Sequence, residues 1–274
     1  MRNNSVLDLD TFSVLREFCV YAKVFGERNS GTNFVQKIIQ ANFGVHCLQN
    51  NNPIYDYVRA ASRRLPKELK GIFRSTIVDM DCQRILASDF GWKHGIPPEN
   101  EILSAPHAKH TLFVCVAKHP LAWLGSLVSR PYNPAESAPS NFSDFIRYDW
   151  PLSPRDNLPD RDRINVVELW NAKNSAFLNL STIVDRCIVV AYERILEDPA
   201  GFLDRVACHL LSTREKYVWS LASTKGDETT FEEYREKYLT ERIDDAISAD
   251  DLEFVRQRID FDLLESFGYT WPAA

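Results

Sequence analysis

Residues 18–43 read FCVYAKVFGERNSGTNFVQKIIQANF, and they carry the clearest structural pattern of the chain. It begins with an almost continuous apolar run, Phe18–Phe25, which is typical of a parallel β-strand covered on both faces. It ends with residues 32–43, where apolar side chains recur at the spacing of a helix. Two glycines, Gly26 and Gly31, lie between the two patterns. A buried strand, a glycine-containing turn and a helix in this order predict the first βα unit of an α/β protein.

The same order of strand and helix recurs twice along the chain. Thr111–Ala117 and Cys187–Tyr192 are apolar runs that predict two more buried strands, and Arg84–Phe90 is a weaker candidate. Helical patterns cover residues 121–128 (opened by Pro120), 166–180, 199–211 and 251–259. We therefore expect an α/β fold with three α/β/α layers, P-loop-like, around a central, mostly parallel sheet of about four or five strands.

Composition places the chain among ordinary globular proteins. Of its 274 residues, 45% are hydrophobic and 26% are charged, and these proportions exclude a disordered, collagen-like or coiled-coil protein. One α/β domain can reach roughly 250 residues, so we expect a single domain over residues 1–274. Within it, residues 130–163 carry six prolines and many turn-forming side chains, which predicts a lid or an insertion.

Charge and cysteine usage limit the partners and the compartment. The 32 Lys and Arg against 38 Asp and Glu give a net charge of −6, which argues against a general nucleic-acid binder or a binder of anionic membranes. Residues 1–130 carry 16 basic and 11 acidic side chains, whereas residues 131–274 carry 16 and 27, so an anion site is expected in the first half. Solvated acidic helices in the second half would give the same imbalance. No targeting sequence or membrane span is expected, and six scattered cysteines without a Cys-x-x-Cys pair predict a reduced, cytoplasmic protein.

The loop of residues 26–31 has the composition of an anion-binding site. Its glycines let several backbone N–H groups turn inward, and the helix that follows adds free N–H groups and a partial positive charge. The spacing of Gly26 and Gly31 matches the nucleotide-binding loop G-x-x-x-x-G. However, Thr32 and Asn33 stand where that loop has the Lys for phosphate and the Ser or Thr for Mg²⁺. A plain glycine turn with Thr32 as a helix cap is the alternative.

Three segments of the first half resemble the sulfotransferases that use 3′-phosphoadenosine 5′-phosphosulfate as donor. Ser30–Phe34 (SGTNF) is similar to the family's Ser-Gly-Thr-Thr-Trp, and residues 91–97 (GWKHGIP) resemble the segment that carries its catalytic His. Lys118-His119-Pro120 with Ser126 resembles an Arg-x-Pro with a Ser eight residues after the Arg, which binds the donor's 3′-phosphate in the family.

Two later segments keep the family's order. Tyr192-Glu193 is followed by Asp198-Pro199, and the tail begins with Lys225-Gly226 and ends near Tyr269. The resemblance therefore covers about residues 19–269. It implies that the chain is a sulfotransferase, which moves a sulfuryl group to a hydroxyl or amine by in-line displacement.

The resemblance also implies a role for each matching residue. His94 would be the base that takes the acceptor's proton, while Lys93 and Arg28 would stabilise charge on the transferring group. Lys118 and Ser126 would bind the 3′-phosphate. The other donor-binding residues implied are Asn29, Ser30, Gly31, Thr32, Asn33, Phe34, Tyr192, Lys225 and Gly226. Asn29 stands where the family has a Lys, and the scheme needs no metal.

Several alternatives stay open. Glu27, beside the anion loop, is a second candidate base. The chain would otherwise be a P-loop kinase or NTPase, or a nucleotide-binding protein without catalysis. The acceptor would be a glycan or a small molecule, and neither its identity nor the oligomeric state is predicted. The candidate aromatic residues for the acceptor pocket are Trp123, Tyr132, Tyr148, Trp150 and Trp170. No metal site is expected, because the pairs His107–His110 and His46–Cys47 lack further ligands nearby.

Overall fold

A computed structural model describes residues 19–49, 60–131, 137–159, 161–210, 216–218, 230–240 and 247–272. Its strands are β1 (Tyr21–Gly26), β2 (His46–Cys47), β3 (Thr111–Ala117), β4 (Asp149–Pro151), β5 (Arg163–Asn165) and β6 (Cys187–Ala191). The helices of the first half are α1 (Thr32–Asn42), α2 (Lys67–Arg84), α3 (Leu86–Asp89), α4 (Glu99–Ser104) and α5 (Pro120–Ser129). Those of the second half are α6 (Phe142–Ile146), α7 (Val166–Ile183), α8 (Tyr192–Glu197), α9 (Pro199–Ala207), α10 (Phe231–Leu239), α11 (Ala249–Arg256) and α12 (Phe261–Ser266).

The central sheet has four strands in the order β2-β1-β3-β6, and each neighbouring pair is parallel. All seven residues of β3 are buried, as a strand covered on both faces requires. The predicted α/β fold with a mostly parallel sheet is confirmed. β4 and β5 form a separate antiparallel pair outside this sheet.

Helices cover both faces of the sheet, because alternate strand residues point to opposite sides. Val24, Val114 and Val190 pack on one face with apolar side chains of α1, α8 and α9. Phe25 and Phe113 point to the other face, where Phe177 and Leu180 of α7 lie among their neighbours. These two apolar layers give the three α/β/α layers expected from the sequence.

One strand prediction is wrong. Arg84–Phe90 is not a strand but the end of α2 followed by α3. Val78, Cys82 and Ile85 are buried at positions i, i+4 and i+7, which is the spacing of a helix. The Ile85 N–H donates to the Asp81 carbonyl, and Phe90 ends α3 in the left-handed conformation with a φ of 57°. The apolar residues of this run therefore belong to the buried face of a helix and not to a strand. The sequence analysis did not predict α2.

The proline-rich segment is folded where the structure describes it. α6 and the β4–β5 pair place Phe145, Ile146 and Trp150 in an apolar cluster with side chains of α5 and α7. A capping box at Ser153 and Asp156 fixes the short turn of residues 154–156. This turn returns the chain to the carboxyl end of the central sheet, where it contacts residues 94–96.

The order of the strands defines where a ligand can bind. The chain leaves β1 for β2 on one side, whereas β3 lies on the other side of β1, so the crossover direction changes between β1 and β3. Open α/β sheets bind ligands in the crevice outside the carboxyl ends of such strands. Gly26 at the end of β1 lies opposite Val116 near the end of β3. The loops that follow these two strands therefore flank one crevice. None of the helices within the described ranges is both long and apolar enough to cross a bilayer.

Candidate active site

The loop after β1, which we call the donor loop (residues 27–31), folds back on itself. The Ser30 N–H and Oγ both contact the Glu27 carbonyl, at 3.1 and 2.6 Å. Asn29 and Gly31 are left-handed, with φ of 65° and 87°. α1 begins directly afterwards without a side-chain cap, so the N–H groups of its first turn face the crevice without an intrahelical partner. These features give the loop the backbone geometry of a nest, in which an anion can bind.

Gly31 is required for two reasons. Its φ of 87° disfavours residues with a side chain, and a Cβ at this position would lie 2.3 Å from Cε2 of Tyr192. The ring of Tyr192 therefore packs directly on the backbone of the donor loop. This close approach brings the start of α8 next to the start of α1.

Residues 92–95, which we call the histidine turn, lie beside the donor loop. The Gly26 N–H donates to the Lys93 carbonyl at 3.0 Å, and Nδ1 of His94 lies 2.6 Å from the Gly26 carbonyl oxygen. Because a carbonyl oxygen only accepts, Nδ1 carries the proton and Nε2 keeps its lone pair. Lys93 donates to the side chain of Asn33 in α1. The structure thus brings His94, Lys93 and Asn33 together with Arg28, as the sequence analysis predicts.

The electrostatics of the histidine turn keep His94 neutral. Burial, followed by the charges of Lys93 and Arg28, holds the pKa of His94 well below its usual value of 6.5. Burial and Arg28 also lower the pKa of Lys93 to about 8. The neutral imidazole is in the protonation state of a base, and the cations around it are those expected to bind an anion.

Lys118 forms a second cationic position, after β3. Its side chain is 2% exposed, and Nζ donates to Ser126 Oγ at 2.8 Å, so the structure brings together the two residues that the resemblance assigns to a 3′-phosphate. The ring of Tyr238 lies over the ammonium with its centroid 3.8 Å away, and the ring of Tyr192 lies 5.9 Å away. Burial lowers the pKa of Lys118 to about 7. Within the described ranges no carboxylate lies close enough to form an ion pair with this ammonium.

α10 covers this half of the site. The ring of Phe34 is stacked on Phe231 at 5.7 Å and meets Tyr192 edge-on at 6.4 Å. Tyr238 contacts Tyr192 edge-on at 5.6 Å in addition to covering Lys118. The surfaces expected to contact an adenine and a 3′-phosphate are therefore occupied by side chains of α10. A nucleotide can reach them only after α10 withdraws.

A buried charge cluster, made of Glu27, Lys173 and Asp156, lies under the histidine turn. Nζ of Lys173 is 2.5 Å from Oε1 of Glu27 and 2.8 Å from Oδ1 of Asp156, and it donates to the His94 carbonyl at 2.7 Å. Burial raises the pKa of Glu27 in spite of Lys173. For Asp156 the effect of burial is outweighed by Lys173, and its pKa is lowered. The pKa of Lys173 is raised, because the two carboxylates outweigh its burial.

A small cavity of about 50 Å³ opens between this charge cluster and the β4–β5 segment. Glu27 and Arg28 of the donor loop contribute to one side, and Trp92 of the histidine turn contributes an aromatic surface. The apolar side is formed by Leu127, Trp150, Leu152 and Leu169. Both Arg28 and Arg155 lie against the ring of Trp92, at 5.7 and 5.0 Å from its centroid. The cavity is therefore apolar on one side and lined by charged side chains on the side next to the donor loop.

Not every candidate residue lines a pocket. Trp123 and Trp170 are fully buried, and their indole N–H groups donate to the carbonyls of Arg28 and Lys118, at 2.8 and 2.9 Å. They support the two loops from below. Trp150 lines the cavity, and Tyr148 meets Trp150 edge-on. Tyr132, Lys225 and Gly226 lie outside the described residues.

The sequence analysis missed Lys173, Asp156 and the aromatic side chains of α10. A signal for Lys173 exists, because it lies between Trp170 and Phe177 on the buried face of a helix, where a lysine needs a partner. Nothing in the sequence points to Asp156 or Tyr238. In the described part of the chain no three His, Cys, Asp or Glu side chains are grouped as a metal site.

The chain was compared with protein families, curated proteins and solved structures. No protein-family model matches the chain, and no curated protein matches it. A solved structure, the sulfotransferase domain from the Synechococcus PCC 7002 olefin synthase, aligns with 92% of this chain and 95% of that chain. The identity is 14% and the TM-score is 0.47. At this similarity the neighbour carries no functional conclusion for this chain, whose own side chains must supply one.

Proposed function

We propose that this protein transfers a sulfuryl group from 3′-phosphoadenosine 5′-phosphosulfate to a hydroxyl or amine acceptor. The observation that carries the proposal is a pair of anion-binding positions at one crevice. The donor loop offers a nest of N–H groups after β1, and Lys118 with Ser126 offers a buried ammonium and a hydroxyl after β3. The ring of Tyr192 lies between the two positions: it packs against Gly31, and its centroid is 5.9 Å from the Lys118 ammonium. Two anion positions on either side of one aromatic ring fit an adenosine with charged groups at both its 5′ and 3′ oxygens.

The residues around the donor loop suit the charge that develops in the transfer. The N–H groups of α1, with Lys93 and Arg28, would bind the sulfuryl oxygens and the bridging oxygen. Each preorganised donor at developing charge is worth about 3–4 kcal/mol in such reactions. Lys118 and Ser126 would bind the 3′-phosphate, and Phe34 and Tyr192 would contact the adenosine once α10 withdraws. In this scheme the protein supplies position and electrostatic stabilisation.

The chemical step is a single displacement. A bond forms between the acceptor oxygen or nitrogen and sulfur, and the bond between sulfur and the oxygen of the 5′-phosphate breaks. The acceptor's proton passes to Nε2 of His94, and 3′,5′-bisphosphoadenosine leaves with the electron pair of the broken bond. His94 suits this role because Nδ1 is fixed on the Gly26 carbonyl and the ring is neutral. Glu27 is the second candidate base, since its buried carboxylate faces the same region with a raised pKa.

The cavity beside the donor loop is the best candidate for the acceptor's reacting end. Its volume of about 50 Å³ suits a hydroxyl or amino group on a short stem, while its apolar wall suits the carbon atoms of that stem. Trp150 and Leu152 of this wall belong to the proline-rich segment. We propose that this segment acts as a lid over the acceptor. Its amide exchange should slow when 3′,5′-bisphosphoadenosine and an acceptor are both bound, and unchanged exchange would make it a fixed wall.

The decisive experiment measures transfer and its cofactor requirement together. The purified protein is incubated with ³⁵S-labelled donor and a panel of sugars, phenols, alcohols and amines, with and without EDTA. We expect labelled product that forms without a divalent metal, together with stoichiometric 3′,5′-bisphosphoadenosine. Hydrolysis of ATP that needs Mg²⁺, without sulfuryl transfer, would instead favour the P-loop NTPase. Tight binding of the bisphosphate without turnover on any acceptor would favour a nucleotide-binding protein without catalysis.

A further inference from the structure

Lys173 touches three separate segments of the chain at once. Its ammonium has three N–H groups, and three oxygens lie within 2.8 Å of Nζ: one each from Glu27, Asp156 and the His94 carbonyl. The side chain is 2% exposed, so water does not compete for these contacts. The donor loop, the histidine turn and the turn of residues 154–156 therefore all contact the same ammonium group, which α7 supplies.

These contacts connect Lys173, His94, Gly26 and Glu27 in a closed cycle. Lys173 binds the His94 carbonyl, and Nδ1 of the same residue donates to the carbonyl of Gly26. Gly26 is the chain neighbour of Glu27, whose carboxylate returns to Lys173. The backbone and the ring of His94 are therefore held at two independent points, and the direction of Nε2 is fixed.

We infer that Lys173 is the positioning residue of the transfer site, and that its ammonium aligns His94 with the donor loop. This inference rests on the proposed function for its catalytic meaning, but its structural content stands on the contacts alone. Lys173 also lines the cavity proposed for the acceptor, but three oxygens of the protein surround its ammonium, so it acts through His94 and Glu27. The chemistry explains the choice of residue. An ammonium donates in three directions, whereas the guanidinium of arginine donates only in its own plane.

The charges around His94 give this role a measurable signature. Lys93, Arg28 and Lys173 are the cations that act on His94, and Glu27 and Asp156 both contact the ammonium of Lys173. Removing the ammonium takes away a cation that lowers the pKa of His94 and leaves two carboxylates without their partner. The pKa of His94 should therefore rise, and the Nδ1–H tautomer should lose population as the ring loses its fixed orientation.

The test is nitrogen NMR of ¹⁵N-histidine-labelled protein, with the His94 signals assigned through a His94→Gln variant. In the wild type we expect a neutral Nδ1–H imidazole with a pKa below 6.5. Lys173→Met should raise that pKa and mix the tautomers, whereas Lys173→Arg should keep the pKa low because it keeps the charge. Lys23→Met is the matched control, because Lys23 is another fully buried lysine but binds the carbonyls of Gln49 and Gly91 instead of His94.

A folded Lys173→Met protein with the wild-type pKa and tautomer of His94 would overturn the inference. If that variant does not fold, Lys173→Met with Asp156→Asn removes one charge of each sign and is measured in the same way. Calorimetry with 3′,5′-bisphosphoadenosine separates this result from the proposed function. If the wild type does not bind the bisphosphate, the sulfotransferase proposal is refuted. The predicted effect of Lys173 on the pKa and tautomer of His94 does not depend on that result. Normal binding of the bisphosphate with an unchanged His94 signal refutes only the role of Lys173.

Discussion

Replacing Lys118 by methionine should remove most of the preference for a nucleotide with a 3′-phosphate. The lysine is 2% exposed and already hydrogen-bonded to Ser126 at 2.8 Å, so its ammonium is held in place before a ligand arrives. Methionine has a similar length and shape but donates no hydrogen bond. The comparison of 3′,5′-bisphosphoadenosine with adenosine 5′-phosphate isolates the 3′-phosphate, because withdrawal of α10 is needed for both nucleotides and cancels in the ratio.

The size of the effect follows from the two contacts. A charge-assisted bond from Lys118 contributes about 1.5–3 kcal/mol and a hydroxyl bond from Ser126 about 0.5–1.5 kcal/mol. Together they give about 2–4.5 kcal/mol, or roughly a 30- to 1,600-fold preference for the bisphosphate in the wild type. In Lys118→Met only the contribution of Ser126 remains, which is about a 2- to 12-fold preference.

Isothermal titration calorimetry of both nucleotides at pH 6.5 measures these ratios. Lys37→Met is the matched control, because it removes the same charge from the exposed face of α1. It should leave the preference intact. Two results would refute the reasoning: equal affinity of the wild type for the two nucleotides, or an equal loss of affinity for both nucleotides in Lys118→Met.

Three further predictions concern the same crevice. The pKa of Lys118 is about 7 without ligand, and a bound phosphate must raise it, so binding takes up a proton above pH 7. Affinity for the bisphosphate should therefore fall as the pH rises from 7, by up to about tenfold per unit. Lys118→Met should remove the part of this fall between pH 7 and 8, below the pKa of Lys93 at about 8. Calorimetry in buffers of different ionisation enthalpy would detect the lost proton uptake. His94→Ala should lower kcat by about 10²- to 10⁴-fold with little change in bisphosphate affinity. Near-normal turnover of this variant would mean that Glu27, and not His94, is the base. Gly31→Ala should lower the melting temperature and weaken bisphosphate binding, because its φ of 87° and the ring of Tyr192 both oppose a Cβ. Gly125→Ala, where a Cβ meets no atom within 4 Å, should leave binding unchanged.

Three of the four strands of the central sheet, and the position of the donor loop, could be predicted from local sequence patterns, whereas the short edge strand β2 could not. Thr111–Ala117 forms a strand with the predicted bounds, and β1 and β6 fall within one residue of the predicted ends at Phe25 and Tyr192. A strand buried on both faces is apolar at nearly every position, so it can be recognised from its own sequence without knowledge of the strands beside it. The donor loop can be recognised in the same way. The backbone at Gly31 is left-handed, which favours glycine whatever packs around it.

The partners of charges that lie far apart in the sequence could not be predicted, because they depend on tertiary packing. Lys173 meets Glu27 and Asp156 across 146 and 17 residues, and its effect on their pKa values arises from burial that no local pattern encodes. Likewise the sequence places Lys118 at the end of a strand, but only the packing of α10 shows that Tyr238 covers its ammonium. Local patterns record which face of an element is apolar, whereas the partner of a buried charge depends on how distant elements pack against each other.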